Sequence, residues 1–262
     1  MLSSRQLRMS ATFFVSLATA ILAVVGWEWI ATSGTMERML MPTLEDLAKM
    51  AIETFTKPFA GYSIYEHVYM SLWRVAAAFA VSLALAIPLG LAAGWFRICK
   101  AIFDPAVEFL RPIPPLAFIP LFVLWFGMGE VSQVLVLVMC GFFPIFINLI
   151  TAIRSTDATL IKAGWVLGAN NRQVLMEVIL PSAVPYLLAA IRISLGVMWA
   201  TVIAAELVYA EVGIGHVLEW SRRYLQTSRL IISMIITGVI SVVLDQGVRY
   251  GEARLTRWEE RI

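Results

Sequence analysis

The sequence predicts an all-α integral membrane protein with about six transmembrane helices. The chain of 262 residues is 60% hydrophobic and only 15% charged, and its mean hydropathy is +0.81. A soluble domain of this length cannot bury so much apolar surface, whereas a lipid bilayer accepts it. In addition, apolar runs of about 20 residues, the length that spans a bilayer as a helix, recur along the chain.

Six segments carry these apolar runs. We place the spans at 11–31, 68–95, 107–126, 131–153, 184–209 and 230–250. Arg5 and Arg8 precede the first run, which superficially resembles a signal peptide. Because five further spans follow it, we expect an uncleaved first helix.

The second and third spans contain residues that perturb helices. Gly90 and Gly94 form a GxxxG pair in the second span, which lets another helix approach closely. The third span contains Arg111-Pro112-Ile113-Pro114-Pro115, whose three prolines forbid a regular helix. Because unpaired backbone groups are costly in lipid, we expect this stretch to be buried in protein or to line a cavity.

The distribution of Lys and Arg predicts the orientation of the chain. One side holds Arg5, Arg8, Arg97, Lys100, Arg154, Lys162, Arg172, Arg249, Arg254, Arg257 and Arg261. The other side holds Arg38, Lys49, Lys57, Arg222, Arg223 and Arg229. The bias places both termini in the cytoplasm, in agreement with an even number of spans.

Two outer loops carry structural signals. Between residues 32 and 67, charged and apolar residues interleave as in an amphipathic helix. We expect Thr43 to cap an interfacial helix that ends near Phe55 and either covers the bundle or receives an external solute-binding protein. In the other loop, Gly213-Ile214-Gly215 is suited to a tight, re-entrant turn.

A polar segment at 161–185 separates the fourth and fifth spans. Its polar residues, which need water or a protein partner, are Lys162, Asn170, Asn171, Arg172, Gln173 and Glu177. Its apolar residues, which supply a docking surface, include Trp165, Val166, Leu167, Leu175, Met176 and Val178. We therefore predict a docking helix that Pro181 and Pro185 stop.

Ionisable residues inside spans are candidate functional residues because their burial is costly. Glu206 lies near the outer end of the fifth span, where it either lines a pathway or pairs with an Arg. Arg192, on the same helix, either extends its head group to the inner interface or contacts solute. Arg74 and Arg111, with Glu108, are candidates for internal ion pairs.

Other chemistries find little support in the sequence. The net charge of +2 is too small to suggest nucleic acid. Cys99 and Cys140 have no metal or redox spacing, and His67 and His216 are single residues near span ends. We find no metal site, no catalytic residues and no phosphate-binding loop, so any ATP hydrolysis requires a separate subunit.

The polar segment resembles the ATPase-coupling motif of permease subunits of bacterial ATP-binding-cassette (ABC) importers. That motif is Glu-Ala-Ala, three residues, Gly, nine residues, an aliphatic residue, one residue and Leu-Pro. Lys162-Ala163-Gly164, Gly168, Val178 and Leu180-Pro181 match this spacing, with Lys162 in place of the acidic residue. The resemblance implies a coupling helix at about 157–178. Its contact residues would be Lys162, Ala163, Gly164, Leu167, Gly168, Ala169 and Arg172, followed by a break at Leu180, Pro181 and Pro185.

Further motifs resemble the nitrate, sulfonate and taurine group of these permeases. They are Arg111 to Ala117, Ile119-Pro120-Leu121, Trp125 to Glu130, Arg192 to Gly196, Trp199 and Ala204 to Leu207. The resemblance implies the type I importer permease fold. It also implies that the chain transports a small anionic solute and is not itself an enzyme. We expect Leu116, Phe118, Phe122 and Met198 to shape the pathway. The other pathway candidates are Arg111, Pro114, Pro115, Arg192 and Glu206.

The resemblance also implies partners and location. It implies two cytoplasmic ATPase subunits that hold ATP and Mg, a second permease copy, and a periplasmic or lipid-anchored binding protein. The location is the bacterial inner membrane, and no cofactor is bound by this chain. We expect one permease domain at 1–262, with a first span and interfacial helix at 1–66 and a core bundle at 67–262.

Two other readings remain open. An ion-coupled secondary transporter would carry midplane carboxylates or internal repeats, and the sequence has neither a clear repeat nor a carboxylate cluster. A membrane scaffold or channel subunit would leave the coupling-type segment unexplained.

Overall fold

Helices make up almost all of the computed structural model, which describes residues 4–255 and the side chains of 14–252 and Arg254. The helices are α1 (Ser4–Thr32), α2 (Leu44–Thr56), α3 (Ile64–Trp95), α4 (Arg97–Leu110), α5 (Ile119–Phe126), α6 (Glu130–Arg154), α7 (Ala158–Val166), α8 (Asn171–Gln173), α9 (Leu180–Tyr209), α10 (Ile214–Arg223) and α11 (Thr227–Leu255). A 3₁₀ turn, Pro115–Phe118, precedes α5, and a π-helical segment, Val174–Ile179, joins α8 to α9. Arg257 and Arg261 and the side chains of Arg5 and Arg8 lie outside the described residues.

Five helical segments within the described residues are long and apolar enough to span a membrane. They are Phe14–Thr32, Ile64–Trp95, Glu130–Ser155, Asn171–Tyr209 and Thr227–Glu252. A sixth span results if α4 and the Pro115–Phe126 helix are counted together, although they are bent by 89°. The predicted third span at 107–126 therefore begins too late, because the apolar helix pair starts at Arg97, and the proline run divides the pair as its composition predicts.

The helices form two compact units, one from residues up to Ile64 together with Val217–Ile235 and one from Tyr65–His216 together with residues from Ile236 onward. The division at residue 66 that the sequence suggests stays a prediction. Whether the chain acts as one permease domain stays a prediction.

In the larger unit, α3 packs closely against α6. A Cβ atom at Gly94 would lie 2.6 Å from Ile153 Cδ1, and one at Gly90 would lie 3.0 Å from Leu149 Cδ2. Any larger residue at Gly94 would push the helices apart, so the predicted close approach at the GxxxG pair is confirmed. Further along α6, a Cβ atom at Gly141 would lie 2.6 Å from Ser82 Oγ, so small residues maintain close contact over much of the helix pair.

In the smaller unit, α2 begins as the sequence predicts. The Thr43 side chain accepts a hydrogen bond from the backbone N–H of Asp46, and the Asp46 carboxylate accepts one from the Thr43 N–H. This reciprocal cap satisfies two backbone donors at the start of the helix. The hydrogen bonds from Thr43 lower the pKa of Asp46. Trp27 Nε1 also donates to the carbonyl of Pro42 at 3.0 Å, which ties α1 to the segment before α2.

Candidate functional site

The segment between α6 and α9 is a helix, a sharp turn and a second helix. Asp157 caps α7 by accepting a 2.7 Å hydrogen bond from the Thr159 N–H, which lowers the pKa of Asp157. The helix ends at Val166, and Gly168 has a φ of +88°. Asn170 then caps α8 through reciprocal hydrogen bonds with Gln173, each 2.9 Å long. We call residues 158–173 the coupling loop.

This turn corrects the prediction of one helix over 157–178. A Cβ atom at Gly168 would meet no other atom of this chain within 4 Å, so packing within the chain does not require the glycine. A positive φ disfavours residues with a side chain and is readily adopted by glycine, which commonly ends helices in this conformation. Gly168 is therefore needed for the backbone turn.

The coupling loop presents large apolar side chains at its turn. Val166 and Leu167 are each 87% exposed and Trp165 is 50% exposed. Lys162, Ala163, Gly168 and Arg172 are also exposed, whereas Gly164 and Ala169 are half-buried. Exposed apolar side chains next to two cations form a surface suited to another protein.

The base of the coupling loop is fixed by the core. Val174 and Ile179 are buried with Leu149 and Ile153 of α6 and Ala183 of α9. Ile161 and Ala169 of the loop pack against this cluster, as do Ile87, Leu91 and Trp95 of α3. The loop therefore lies at the end of the larger unit where α3 and α6 end and α9 begins.

The predicted helix break at Leu180, Pro181 and Pro185 is wrong. The chain is helical without interruption from Asn171 to Tyr209, with Pro181 in the first turn of α9 and Pro185 inside it. The π-helical segment Val174–Ile179 ends two residues before Pro181. Such a wider turn is a local adjustment that accommodates a residue without a backbone N–H.

At the opposite end of the larger unit, Arg74 of α3 binds two carboxylates. Its Nη1 donates to Glu206 Oε1 of α9 at 2.6 Å, and its Nε donates to Glu130 Oε2 of α6 at 2.7 Å. A second donor, Nη2, lies 2.5 Å from Glu130 Oε1, and Nη1 also donates to the carbonyl of Val212 at 2.7 Å. Arg74 and Glu206 are each 1% exposed, so this ion pair is buried. We call Arg74, Glu130 and Glu206 the ionic cluster.

The Gly213–Gly215 turn completes the coordination of Glu206. The Gly215 N–H donates to Glu206 Oε2 at 2.8 Å, and Ser71 Oγ donates to the same carboxylate. The neighbouring N–H groups of Gly213 and Ile214 donate to His67 Nδ1 and Ser71 Oγ. A Cβ atom at Gly213 would lie 2.4 Å from Glu206 Cδ, so only glycine leaves room for the carboxylate.

Glu206 pairs with an Arg, which is one of the two alternatives that the sequence left open. Its role in the pathway stays a prediction. The sequence proposed Arg74 for an ion pair but did not identify Glu130 as its partner. It also treated His67 and His216 as separate residues, although their rings stack with centroids 6.2 Å apart. The glycine pair after the fifth span was the signal that this turn approaches another group.

Glu108 and Arg111, which the sequence also made candidates for internal ion pairs, lie apart from the ionic cluster. Within the described residues, neither side chain makes an ion pair, and both line a cavity of about 520 Å³. Arg111 directly follows α4 and also lines an adjoining cavity of about 250 Å³ together with Pro115. The irregular backbone at the proline run thus lines cavities, as its composition predicts.

The other pathway candidates have different environments. Pro114 and Leu116 are exposed, and Phe118 stacks on Phe122 with ring centroids 6.0 Å apart. Met198 is fully buried and lies against Gly141, which places it in the helix core. The pathway roles of these five residues stay predictions.

Arg192 has a partner inside the protein. Its Nε donates to Asp245 Oδ1 of α11 at 2.8 Å and its Nη2 to Oδ2 at 3.3 Å. The sequence considered the inner interface or a solute as the destination of this head group and did not consider Asp245. The pair lines a third cavity of about 200 Å³ between α9 and α11.

Known proteins of similar sequence are transport permeases. The taurine transport system permease protein TauC of Escherichia coli is 32% identical over 266 residues, which cover 100% of this chain and 97% of TauC. The bicarbonate transport system permease protein CmpB of Synechococcus elongatus is 32% identical over 72% of this chain and 66% of its own length.

Solved structures share the fold. An inward-facing structure of the MetNI methionine ABC transporter matches with a TM-score of 0.61 at 18% identity, covering 73% of this chain and 95% of the matched chain. The crystal structure of an amino acid ABC transporter with histidines matches with a TM-score of 0.62 at 17% identity. The match covers 80% of this chain and 96% of the matched chain.

The family model for the inner membrane component of binding-protein-dependent transport systems matches residues 86–257. This range contains the coupling loop, the proline run and two of the three residues of the ionic cluster. The chain belongs to this family of transport permeases, with the type I ABC importer fold that its sequence predicts.

Proposed function

We propose that this chain forms the membrane path of an ATP-driven importer for a small sulfonate of the taurine type. Similarity to TauC over the full length of both chains supports this solute class. The similarity to CmpB extends over a shorter part of each chain, so we place bicarbonate second.

The exposed coupling loop is the observation that carries the proposal of an external energy source. Two ATPase subunits, which hold ATP and Mg, would dock on the loops of two permease copies. Trp165, Val166 and Leu167 offer apolar contact area, while Lys162 and Arg172 would favour an acidic partner surface. A cation in place of the acidic residue of the motif implies that the matching position on the ATPase is not basic.

The two ends of the larger unit would then face different compartments. The coupling loop would lie in the cytoplasm, with both chain termini on the same side of the inner membrane. The ionic cluster would lie near the outer face, where a periplasmic or lipid-anchored protein delivers solute. ATP-closed ATPases would favour the outward-facing state, and nucleotide-free ATPases would favour the inward-facing state.

Solute-stimulated ATP hydrolysis tests this proposal. The chain is purified with the ATPase encoded beside it and reconstituted with the cognate binding protein. Taurine, alkanesulfonates, nitrate, bicarbonate and aromatic carboxylates are then tested as stimulants. We expect a sulfonate to stimulate hydrolysis only when the binding protein is present. An assembled complex that responds only to another solute would contradict the solute class, and failure to bind the ATPase would contradict the function.

A variant of the coupling loop makes this test specific. Leu167→Glu places a charge where an apolar contact is proposed, so ATPase binding should fall about tenfold or more for the loss of one buried apolar side chain. The conservative variant Leu167→Met keeps an apolar side chain and should bind normally. Equal binding by both variants would contradict the docking role.

A further inference from the structure

We propose that Arg111 and Glu108 contact the two charged ends of an amino-sulfonate solute, an inference that rests on the proposed function. Arg111 would donate hydrogen bonds to the sulfonate oxygens, and Glu108 would accept them from the ammonium group. The cavity that both residues line would thus select a small zwitterion with closely spaced charges.

The charges around the cavity support this assignment. Four charged residues line it, namely Lys100, Asp104, Glu108 and Arg111. Lys100 and Asp104 form a salt bridge with each other. Arg111 and Glu108 make no ion pair within the described part of the chain, so the cavity keeps one cation and one anion available for a ligand.

Helix geometry sets the spacing of this available pair. Glu108 lies in α4, and Arg111 follows with helical φ and ψ of −55° and −44°. Residues three apart on a helix have Cβ atoms about 5–6 Å apart. One small solute with two carbons between its ammonium and sulfonate groups can therefore reach both side chains.

The position of Arg111 places it on a route between two cavities. Arg111 and Ile147 line both the cavity of about 520 Å³ and the cavity of about 250 Å³, so these cavities adjoin. The larger volume lies within the range of about 300–1,000 Å³ that is common for small-molecule sites. The smaller cavity combines apolar side chains, such as Phe143 and Met139, with the polar side chains of Arg111 and Asn148.

Glu108 lies in, and Arg111 directly follows, the first helix of a bent pair that together could form a sixth span. Charged residues in membrane segments are costly, and they commonly face a cavity or a partner of opposite charge. The guanidinium group is suited to a sulfonate because its planar donors match two oxygens at once. A solute that brings both charges leaves neither Arg111 nor Glu108 uncompensated when the cavity closes around it.

The test measures uptake of two solutes by the complete complex in proteoliposomes. Taurine carries both charged groups, and ethanesulfonate carries the sulfonate alone. The variants are Arg111→Gln, Arg111→Lys and Glu108→Gln. Arg97→Gln is the matched control, because Arg97 begins the same helix but does not line either cavity. Solute-independent ATP hydrolysis and the mass of the complex are measured on the same preparations.

We expect Arg111→Gln to lower the uptake of both solutes about tenfold or more, the loss expected for one charge-assisted hydrogen bond. Arg111→Lys should restore part of this uptake, because it keeps the charge without the two-pronged geometry. Glu108→Gln should lower taurine uptake and leave ethanesulfonate uptake unchanged. Arg97→Gln should resemble the wild type, and all variants should keep their mass and basal hydrolysis.

Each alternative outcome is distinguishable. Normal uptake by Arg111→Gln would overturn the inference while leaving the proposed function intact. Loss of complex mass in Arg111→Gln and Glu108→Gln would show that these residues face a second copy of the chain, which also overturns it. A wild-type complex that transports ethanesulfonate but not taurine would overturn the role of Glu108. A wild-type complex that transports neither would overturn the proposed function together with this inference.

Discussion

Arg74 and Arg111 are the same residue type in the same compact unit, but their surroundings are opposite. Arg74 is 1% exposed and donates to two carboxylates and a backbone carbonyl. Arg111 is exposed at a cavity and makes no ion pair within the described residues. A buried charge whose donors are all used holds helices together, whereas a cation left open to a cavity is available to a ligand. The comparison separates a structural arginine from a candidate functional one, although both are ionisable residues in apolar segments of the sequence.

The largest effect is expected from Arg74→Met. This change leaves Glu206 buried without its counter-ion, which typically costs about 3–5 kcal/mol of unfolding free energy. Unfolding in detergent micelles, followed by tryptophan fluorescence, measures the loss. The double variant Arg74→Met with Glu206→Gln should recover part of it, because the neutral amide leaves no buried charge and its oxygen can still accept hydrogen bonds from Ser71 and the Gly215 N–H. If the single variant is as stable as the wild type, the ionic cluster does not hold the helices.

The two carboxylates of the ionic cluster should differ in importance. Glu206→Gln removes a buried charge that accepts several hydrogen bonds, so we expect a loss of about 1.5–3 kcal/mol. The Glu130 side chain is 50% exposed, so solvent screening should limit the loss in Glu130→Gln to about 1 kcal/mol or less. The same unfolding measurement ranks the two variants. A larger loss at Glu130 would contradict the assignment of Glu206 as the buried partner.

Gly213→Ala tests the steric limit around Glu206. The added methyl group would overlap the Glu206 carboxylate, and the φ of +143° at Gly213 is unfavourable for alanine. Overpacking of this kind costs about 1–3 kcal/mol. The matched control is Gly238→Ala in α11, where a Cβ atom would meet no other atom within 4 Å. Equal unfolding midpoints for the two variants would indicate that the Gly213 turn moves easily.

The smallest effect on stability is expected from Arg111→Gln. Because Arg111 is exposed and makes no ion pair within the described residues, the unfolding free energy should stay within about 0.5 kcal/mol of the wild type. This result, combined with impaired uptake, would sharpen the contrast with Arg74. A loss of stability comparable to that of Arg74→Met would show that Arg111 has a structural partner and would remove the contrast.

Local patterns predicted the features that depend on neighbouring residues. The cap at Thr43, the close approach at Gly90 and Gly94, and the irregular backbone at the proline run are all confirmed. Each follows from short-range chemistry, such as a side-chain acceptor near free N–H groups or the absence of a Cβ atom. The spaced motif from Lys162 to Pro181 did not reveal the turn at Gly168, and the ATPase-coupling role that it implies stays a prediction.

Predictions failed where distant residues or adjustable backbone decide the outcome. Pro181 and Pro185 were expected to stop a helix, but a π-helical segment accommodates the first and α9 continues through the second. One helix was expected over 157–178, but α7 ends at Val166 and Gly168 turns the chain with a positive φ. A proline removes a backbone N–H and a glycine allows a positive φ, but the surrounding structure determines whether the helix ends or continues there.

By itself, the sequence determined that this chain is a helical membrane permease, because apolar length and local spacing are properties of contiguous residues. Tertiary structure alone decided which charges are paired. The partners of Arg74 are 56 and 132 residues away, and that of Arg192 is 53 residues away. Only helix packing brings such groups within hydrogen-bonding distance, and among the described residues it brings no carboxylate within ion-pairing distance of Arg111, which lines a cavity.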